Sequence, residues 1–330
     1  MQRNKERLVL FFDVKLEANS TSRPPYDEVA GLIPKDLSDL ISFLNSLHSD
    51  PEISLNWPPN SKNDILYLAD ILPDKDGKII LLINRCDRNA ADSVFYDPET
   101  KTRTIHEKKS GEGLDHSSHF VISAVPFAAN SYRAVLEMAP GLSGRRVEQY
   151  LNFLFKECAM KFDEEFKVLH PSGAYDKNGK PVRVRIKHHC KMLGHMSPEF
   201  EQELNSGVLG DIELIQTKGA KDHWDTSGAL IEKSRIIRIR ETEKGVVNDK
   251  VGALKELCGI ARERSYEQLR VTFKTSDKLT RSAKLDTSTA ALDVDSRYIK
   301  KVLIDGFKKR LPTSFDAIDT DLQEKLCELL

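Results

Sequence analysis

The chain has 330 residues, 39% hydrophobic and 31% charged, which excludes a mostly disordered polymer and leaves room for one large or two ordinary domains. Its formal net charge of −1 supplies no overall field for nucleic acid or membrane. The balance is uneven, however: Lys and Arg exceed Asp and Glu by 7 over residues 181–310, while residues 1–180 and 311–330 each carry −4. A basic C-terminal body beside acidic flanks is a hint about partners rather than about fold.

Cys86, Cys158, Cys190, Cys258 and Cys327 are odd in number, widely scattered and without a CxxC pair. That pattern points to a reducing compartment and away from a disulfide framework or a cysteine-rich zinc module. The first apolar run, residues 8–12, is cut by Asp13 and is shorter than the ~7–15 residues of a signal-peptide core. No stretch approaches the ~20 apolar residues of a membrane span. The expectation is a cytoplasmic protein with no membrane insertion.

In chain order, residues 7–16 (RLVLFFDVKL) read as a strand, nearly all apolar and so central. Residues 19–26, with two consecutive prolines, read as a loop. Pro34 introduces an amphipathic helix with Leu37, Leu40, Ile41, Leu44 and Leu47 on one face. Strand-like runs at 65–69 and 78–85 flank the turn Pro73-Asp74-Lys75-Asp76-Gly77, and 93–96 with 102–106 form a further hairpin around Asp97-Pro98-Glu99-Thr100. The strongest local agreement lies over 118–162: strands at 119–125 and 132–138, then a helix capped by Ser143 with Val147, Leu151, Leu154, Phe155, Cys158 and Phe162 at helical spacing.

Asn178-Gly179 is a favoured hairpin turn, so residues 166–169 are expected to pair back on 182–187. Ser197-Pro198 and Gly207 bracket a short helix. Strands follow at 208–216 and 229–240, a helix at 247–264, and strands at 268–275 and 282–285. Ser296 is expected to cap a basic helix with Ile299, Val302, Leu303 and Phe307 buried. Thr320 and Gln323 form a capping box for an acidic terminal helix bearing Leu322, Leu326 and Leu329. The fold class is α+β, mostly antiparallel sheets with packed helices, divided into domains 1–165 and 166–330. The strand–helix–strand–strand order of residues 234–285 echoes that of 7–85, so two related halves are one option.

The residues that carry chemistry begin with basic alternate faces. In VRVRIKHH, Arg183, Arg185 and Lys187 point away from Val182, Val184 and Ile186, because side chains alternate along a strand. Arg238 and Arg240 share a face of RIIRIR, as do Arg270 and Lys274 of LRVTFK. On one sheet these seven side chains would form a surface for a phosphate backbone, a contact for which Arg is well suited. The plainer reading is that they are ordinary solvated faces of half-buried strands, balanced by Glu232, Glu241 and Glu243. No aromatic residues interleave them, which disfavours a single-strand binder.

Asp115, His116 and His119 precede a central strand and include carboxylate and imidazole groups able to hold a divalent metal for phosphodiester hydrolysis. A polar loop is the plainer reading. His106 and Lys108 do not complete an HxK…D motif, since Asp115 is misplaced. His188, His189, Cys190 and His195 match no usual zinc spacing, and Asp97, Glu107 and Lys109 are the nearest approach to a PD-(D/E)xK set. There is no GxxxxGK[ST], GxSxG or dinucleotide fingerprint, so no cofactor is expected, and a metal only if the chain is a nuclease.

The element order, with basic strands VRVRIK, SRIIRIR and QLRVTFK around a helix, resembles uncharacterised bacterial proteins of phage-defence loci and the DNA-binding sensor of the lambda Rex exclusion pair. The resemblance covers the second half of the chain. It implies a DNA-binding sensor or accessory protein that acts through a protein partner, with a second copy of the chain as one option. The alternatives are a metal-dependent nuclease using Asp115, His116 and His119, and a protein-interaction subunit docking through the terminal helix.

Overall fold

A computed structural model describes residues 5–20, 32–217, 226–227, 229–230, 232–240, 249–293 and 297–330. Along the chain lie β1 (Arg7–Ser20), α1 (Leu37–His48), β2 (Asp64–Lys75), β3 (Lys78–Asp87), β4 (Ser93–Asp97), β5 (Thr102–His106), β6 (Leu114–Ser123) and β7 (Ser131–Glu137). Then come α2 (Gly144–Lys161), a 3-10 turn (Asp163–Phe166), β8 (Lys167–Leu169), β9 (Arg183–Gly194), α3 (Pro198–Ser206), β10 (Val208–Gln216) and β11 (Arg235–Ile239). The last are α4 (Lys250–Glu263), β12 (Gln268–Lys274), β13 (Thr280–Asp286), β14 (Leu292–Asp293), β15 (Lys301–Ile304) and α5 (Thr320–Cys327). The fold is α+β and its sheets are mostly antiparallel.

The chain groups into two units: Met1–Val9, Val14–Lys191 and Val302–Leu330 form the first, Leu10–Asp13 and Met192–Lys301 the second. The division expected between residues 165 and 166 falls inside the first unit. The reason is local: β8 folds back on β9 in the register Lys167↔Arg185, Val168↔Val184 and Leu169↔Arg183.

In the first unit the sheet order β1-β7-β6-β3-β2 sets β3 in the interior. Ile79, Ile80, Leu81, Leu82 and Ile83 are all buried, the continuous apolar run of a strand covered on both faces. The β2–β3 turn has φ of 55° at Asp76 and 73° at Gly77, the double positive φ of a type I′ hairpin. In α1, Leu37, Leu40, Ile41, Leu44 and Leu47 are buried at helical spacing against α2 and β2. Each such side chain contributes about 1.5–3 kcal/mol of burial, and Leu44→Ala would cost about 2–5 kcal/mol. Ser143 caps α2 by accepting from Arg146 N, and Val147, Leu151, Leu154, Phe155 and Cys158 are its buried stripe.

In the second unit the sheet runs β11-β10-β12-β13-β14, with Leu193 and Gly194 of β9 beyond β14. Phe200 and Leu204 of α3, with Val251, Leu254, Cys258 and Ala261 of α4, bury Ile212, Leu214, Leu269, Val271, Phe273 and Leu285 of the sheet. Ser197 caps α3 by accepting from Phe200 N at 3.2 Å. Gly207 ends the helix where a Cβ would fall 2.5 Å from Lys274 O, an approach that only glycine permits.

Two expectations are corrected. The basic helix over 297–310 is absent: β15 pairs with β1, and within the second unit Ser197 N donates to Tyr298 O while Lys300 N donates to His195 O. The β-branched Ile299, Val302 and Ile304 suit that extended backbone; Ser296 itself lies outside the described residues, as do Val247 and most of the expected loop at 19–26. The cap of α5 is Asp319 rather than Thr320, its carboxylate accepting from Asp321 N at 3.1 Å and Leu322 N at 3.0 Å. The two halves are also wired differently: one strand, β10, separates β11 from β12, whereas β7, β6 and β3 separate β1 from β2.

Candidate nucleic-acid interface

The helices α3 and α4 cover one face of the second unit's sheet, and the opposite face carries its charge. Register places Arg238 of β11 opposite Glu213 of β10, Glu213 opposite Arg270 of β12, and Arg270 opposite Lys284 of β13. Directly opposed residues share a face, so these four form one row across four strands. Lys274 falls on the same face by alternation, and Thr272 lies opposite Ser282 in a neighbouring row. Arg240 is exposed just past the end of β11.

Glu213 organises the row. Arg238 Nε donates to its Oε1 at 3.1 Å and Arg270 donates from a terminal nitrogen to its Oε2 at 2.6 Å. The Glu213 side chain is 14% exposed, against 37% for Arg270 and 73% for Arg238. The carboxylate therefore sits low and the guanidinium groups stand above it, so their outer N–H groups face solvent. Strands ~4.8 Å apart put Arg238 and Arg270 about 10 Å from each other, with Lys284 one strand further.

The remaining basic residues belong to the first unit. Along β9, Val184 and Ile186 are buried while Arg183, Arg185 and Lys187 are exposed, the expected alternation. Here acids from the 3-10 turn answer the charge: Arg183 pairs with Glu164 at 3.2 Å and Arg185 with Asp163. Arg183 also donates to Lys167 O at 2.8 Å. The seven residues thus fall into two sets, one in each unit.

Asp115, His116 and His119 are not brought together as a catalytic group. Asp115 and His119 lie on one face of β6 and His116 on the other. Asp115 Oδ2 accepts from Tyr67 Oη at 3.0 Å and from Ser314 Oγ. Burial, reinforced by the adjacent carboxylate, pushes the Tyr67 phenol up to about 12 and keeps it a donor. His119 is fully buried; Nε2 accepts from Asp319 N at 3.2 Å, which leaves the ring proton on Nδ1 facing Glu137 Oε2 at 2.7 Å. Burial and the Arg85 charge lower the His116 imidazole below its usual range. These side chains tie the segment from Pro312 to Asp319 onto β6, with Asn84 Nδ2 donating to Phe315 O at 2.8 Å and Phe315 N to Ser117 Oγ at 2.7 Å.

The other sets resolve similarly. His188 is buried, accepts from Lys35 N at 2.9 Å, and is held down to about 4 chiefly by burial. Burial raises the Cys190 thiol well above its usual range, and Asn152 clamps the Cys190 backbone with bonds of 2.7 and 2.9 Å. His195, in the second unit, pairs with Asp13 at 2.8 Å. Asp97 is consumed by its own turn, accepting from Glu99 N at 2.9 Å and Thr100 Oγ1 at 2.8 Å. Among the described residues no group of three or more His, Cys, Asp and Glu side chains could hold a metal ion.

Sequence reasoning missed Glu213 and Lys284. Each alternates with buried neighbours along its strand, Glu213 half-buried and Lys284 exposed, but only strand register joins them to Arg238 and Arg270. The chain matches no family model, no curated protein and no solved structure. No helix among the described residues is long and apolar enough to cross a membrane.

Proposed function

We propose that the chain binds nucleic acid, with duplex DNA preferred, through the open sheet face of its second unit. The observation that carries this reading is the row Arg238–Glu213–Arg270–Lys284, three cations around one low carboxylate on adjacent strands. Guanidinium groups with free outer N–H donors suit bidentate phosphate contacts. Arg240 and Lys274 extend the same contact surface. The row and its Thr272–Ser282 neighbour carry no aromatic ring on which an unpaired base could stack, which supports a duplex over a single strand. Arg183, Arg185 and Lys187 contribute less, because Glu164 and Asp163 offset two of them.

The wider role is that of a sensor or accessory protein acting with a partner in bacterial phage defence, a proposal that follows the element-order resemblance. The nuclease alternative finds less support, since Asp115 and His119 are engaged by the chain's own C-terminal segment. Docking through the terminal helix is likewise less favoured: Leu322 and Leu326 are buried against this chain.

Binding of labelled duplex DNA across a salt series tests the proposal. Affinity should fall steeply with salt, at a slope of roughly −0.9 per phosphate neutralised. A triple variant, Arg238→Ala, Arg270→Ala and Lys284→Ala, should weaken binding to all sequences alike and flatten that slope by two to three contacts. Equal affinity of the triple variant and the wild type would overturn the assignment.

A further inference from the structure

The hairpin of β4 and β5 has no cover. It forms a two-stranded sheet of its own in the register Val94↔Ile105, Phe95↔Thr104 and Tyr96↔Arg103, paired with no other strand among the described residues. Four large apolar side chains stand in solvent on it: Val94 at 43%, Phe95 at 63%, Tyr96 at 60% and Ile105 at 55% exposure. A lone two-stranded hairpin is marginal in water, and independent stability takes three or more strands. Yet this one is firmly built. Asp97 fixes its tip, and at its base Lys108 Nζ donates to Arg88 O at 3.0 Å while Lys108 N donates to Asp92 Oδ1 at 3.2 Å.

We propose that β4 is a self-association edge, pairing antiparallel with β4 of a second copy about a twofold axis at Phe95. Three features choose this occupant. Residues 88–112 hold five basic and five acidic side chains, so the arm has no net charge to attract a polyanion or to repel its twin. Natural edge strands are guarded by Lys, Pro or inward charge; Ser93–Asp97 has none before its final residue, whereas β5 carries Arg103 and His106. The sequence SVFYD is also self-complementary in that register. Phe95 meets Phe95 on one face, Val94 meets Tyr96 on the other, and Ser93 meets Asp97, with no like charges opposed. The product is a four-stranded sheet with an isologous interface, the commonest symmetry of soluble homo-oligomers.

Sedimentation equilibrium of the full chain tests this. The wild type should move from monomer towards dimer as concentration rises. Phe95→Asp opposes two carboxylates on the axis and should remain monomeric. Within its own chain the Phe95 ring meets the exposed His106 ring edge-on, 5.1 Å between centroids, so at concentrations where both proteins are monomeric its melting temperature should change little. Mixing Phe95→Asp with Phe95→Lys should restore the dimer as a heterodimer. Under mild oxidation Phe95→Cys should crosslink, its Cβ atoms being about 4.5–5.5 Å apart across the axis, while Val94→Cys, which faces Tyr96, should not. A wild type that stays monomeric throughout, a Phe95→Asp variant that dimerises like the wild type, or equal crosslinking at 94 and 95 would each overturn the proposal.

Discussion

Arg7 and Glu137 form an ion pair at 2.6 Å between side chains only 1% and 0% exposed. The carboxylate is fully engaged: its other oxygen accepts from His119 N at 3.1 Å and faces His119 Nδ1 at 2.7 Å. Arg7 in turn donates to Pro312 O at 2.6 Å. A buried pair adds little relative to a well-packed apolar pair, but removing one member strands the other charge. Glu137→Ala should therefore cost about 3–5 kcal/mol in denaturant unfolding, and Arg7→Met a similar amount. The double variant Arg7→Met/Glu137→Gln, which removes both charges but keeps an acceptor for His119, should recover much of that loss. Single variants as benign as the double would mean that the pair carries no charge penalty.

The Asp115 cluster predicts a loss of stability rather than of catalysis. Asp115 Oδ2 gathers Tyr67, Asn84 and Ser314, and so helps to hold the segment around Phe315 on β6. Asp115→Ala leaves these donors unmatched, a cost of about 1–3 kcal/mol. Hydrogen exchange should accelerate at Phe315 N, Ile318 N and Asp319 N, which are tied to Ser117, Asp70 and His119. Unchanged exchange at these amides would remove Asp115 from that latch.

His188 makes the first unit sensitive to acid. Burial, helped by Lys35, sets its folded value at about 4, below the ~6.5 of the unfolded chain. Between those values the unfolded state binds more protons, so the stability is intact above pH ~6.5 and drains as pH falls towards 4. The full loss is about 3 kcal/mol. His188→Gln keeps an acceptor for Lys35 N and does not titrate, so its stability should vary less over that window. Denaturant midpoints measured at several pH values check this, and parallel acid limbs for the two proteins would refute it.

What could be read from the residues was whatever depends on neighbours in the chain. The stripe Leu37, Leu40, Ile41, Leu44 and Leu47 announces α1, and the alternation of Val184 and Ile186 with Arg183 and Arg185 announces β9. Position 297–310 shows the limit of that logic. Ile299, Val302, Leu303 and Phe307 fit a helical spacing, but the backbone of Tyr298 and Lys300 bonds to residues 197 and 195 instead. The candidate site depends on longer reach still. Glu213 joins Arg238 across 25 residues and Arg270 across 57, while Arg7 and Glu137 are 130 apart. Such pairings are set by sheet register, which local pattern does not specify.

Glu213 offers the sharpest test of the basic row, because the proposed function predicts that losing its charge raises affinity, whereas simple surface stabilisation predicts no change in affinity. If Arg238 and Arg270 serve mainly to stabilise the sheet, Glu213→Gln should cost up to ~1 kcal/mol of stability, the usual scale of partly exposed pairs, with no effect on ligands. If they contact phosphate, the carboxylate competes with the ligand for the same guanidinium groups. Removing its charge takes away a repulsion of about 1 kcal/mol, that of unit charges ~4 Å apart in a high dielectric. Duplex DNA should then bind about fivefold tighter, with the gain shrinking as salt rises. Arg270→Ala should move affinity the other way, since Arg270 is the closer partner at 2.6 Å and sits between Glu213 and Lys284 in the row. Fluorescence anisotropy on the two variants decides between these outcomes: affinities that shift in opposite directions place phosphate on this row, and affinities that do not move leave Glu213 as a structural tie alone.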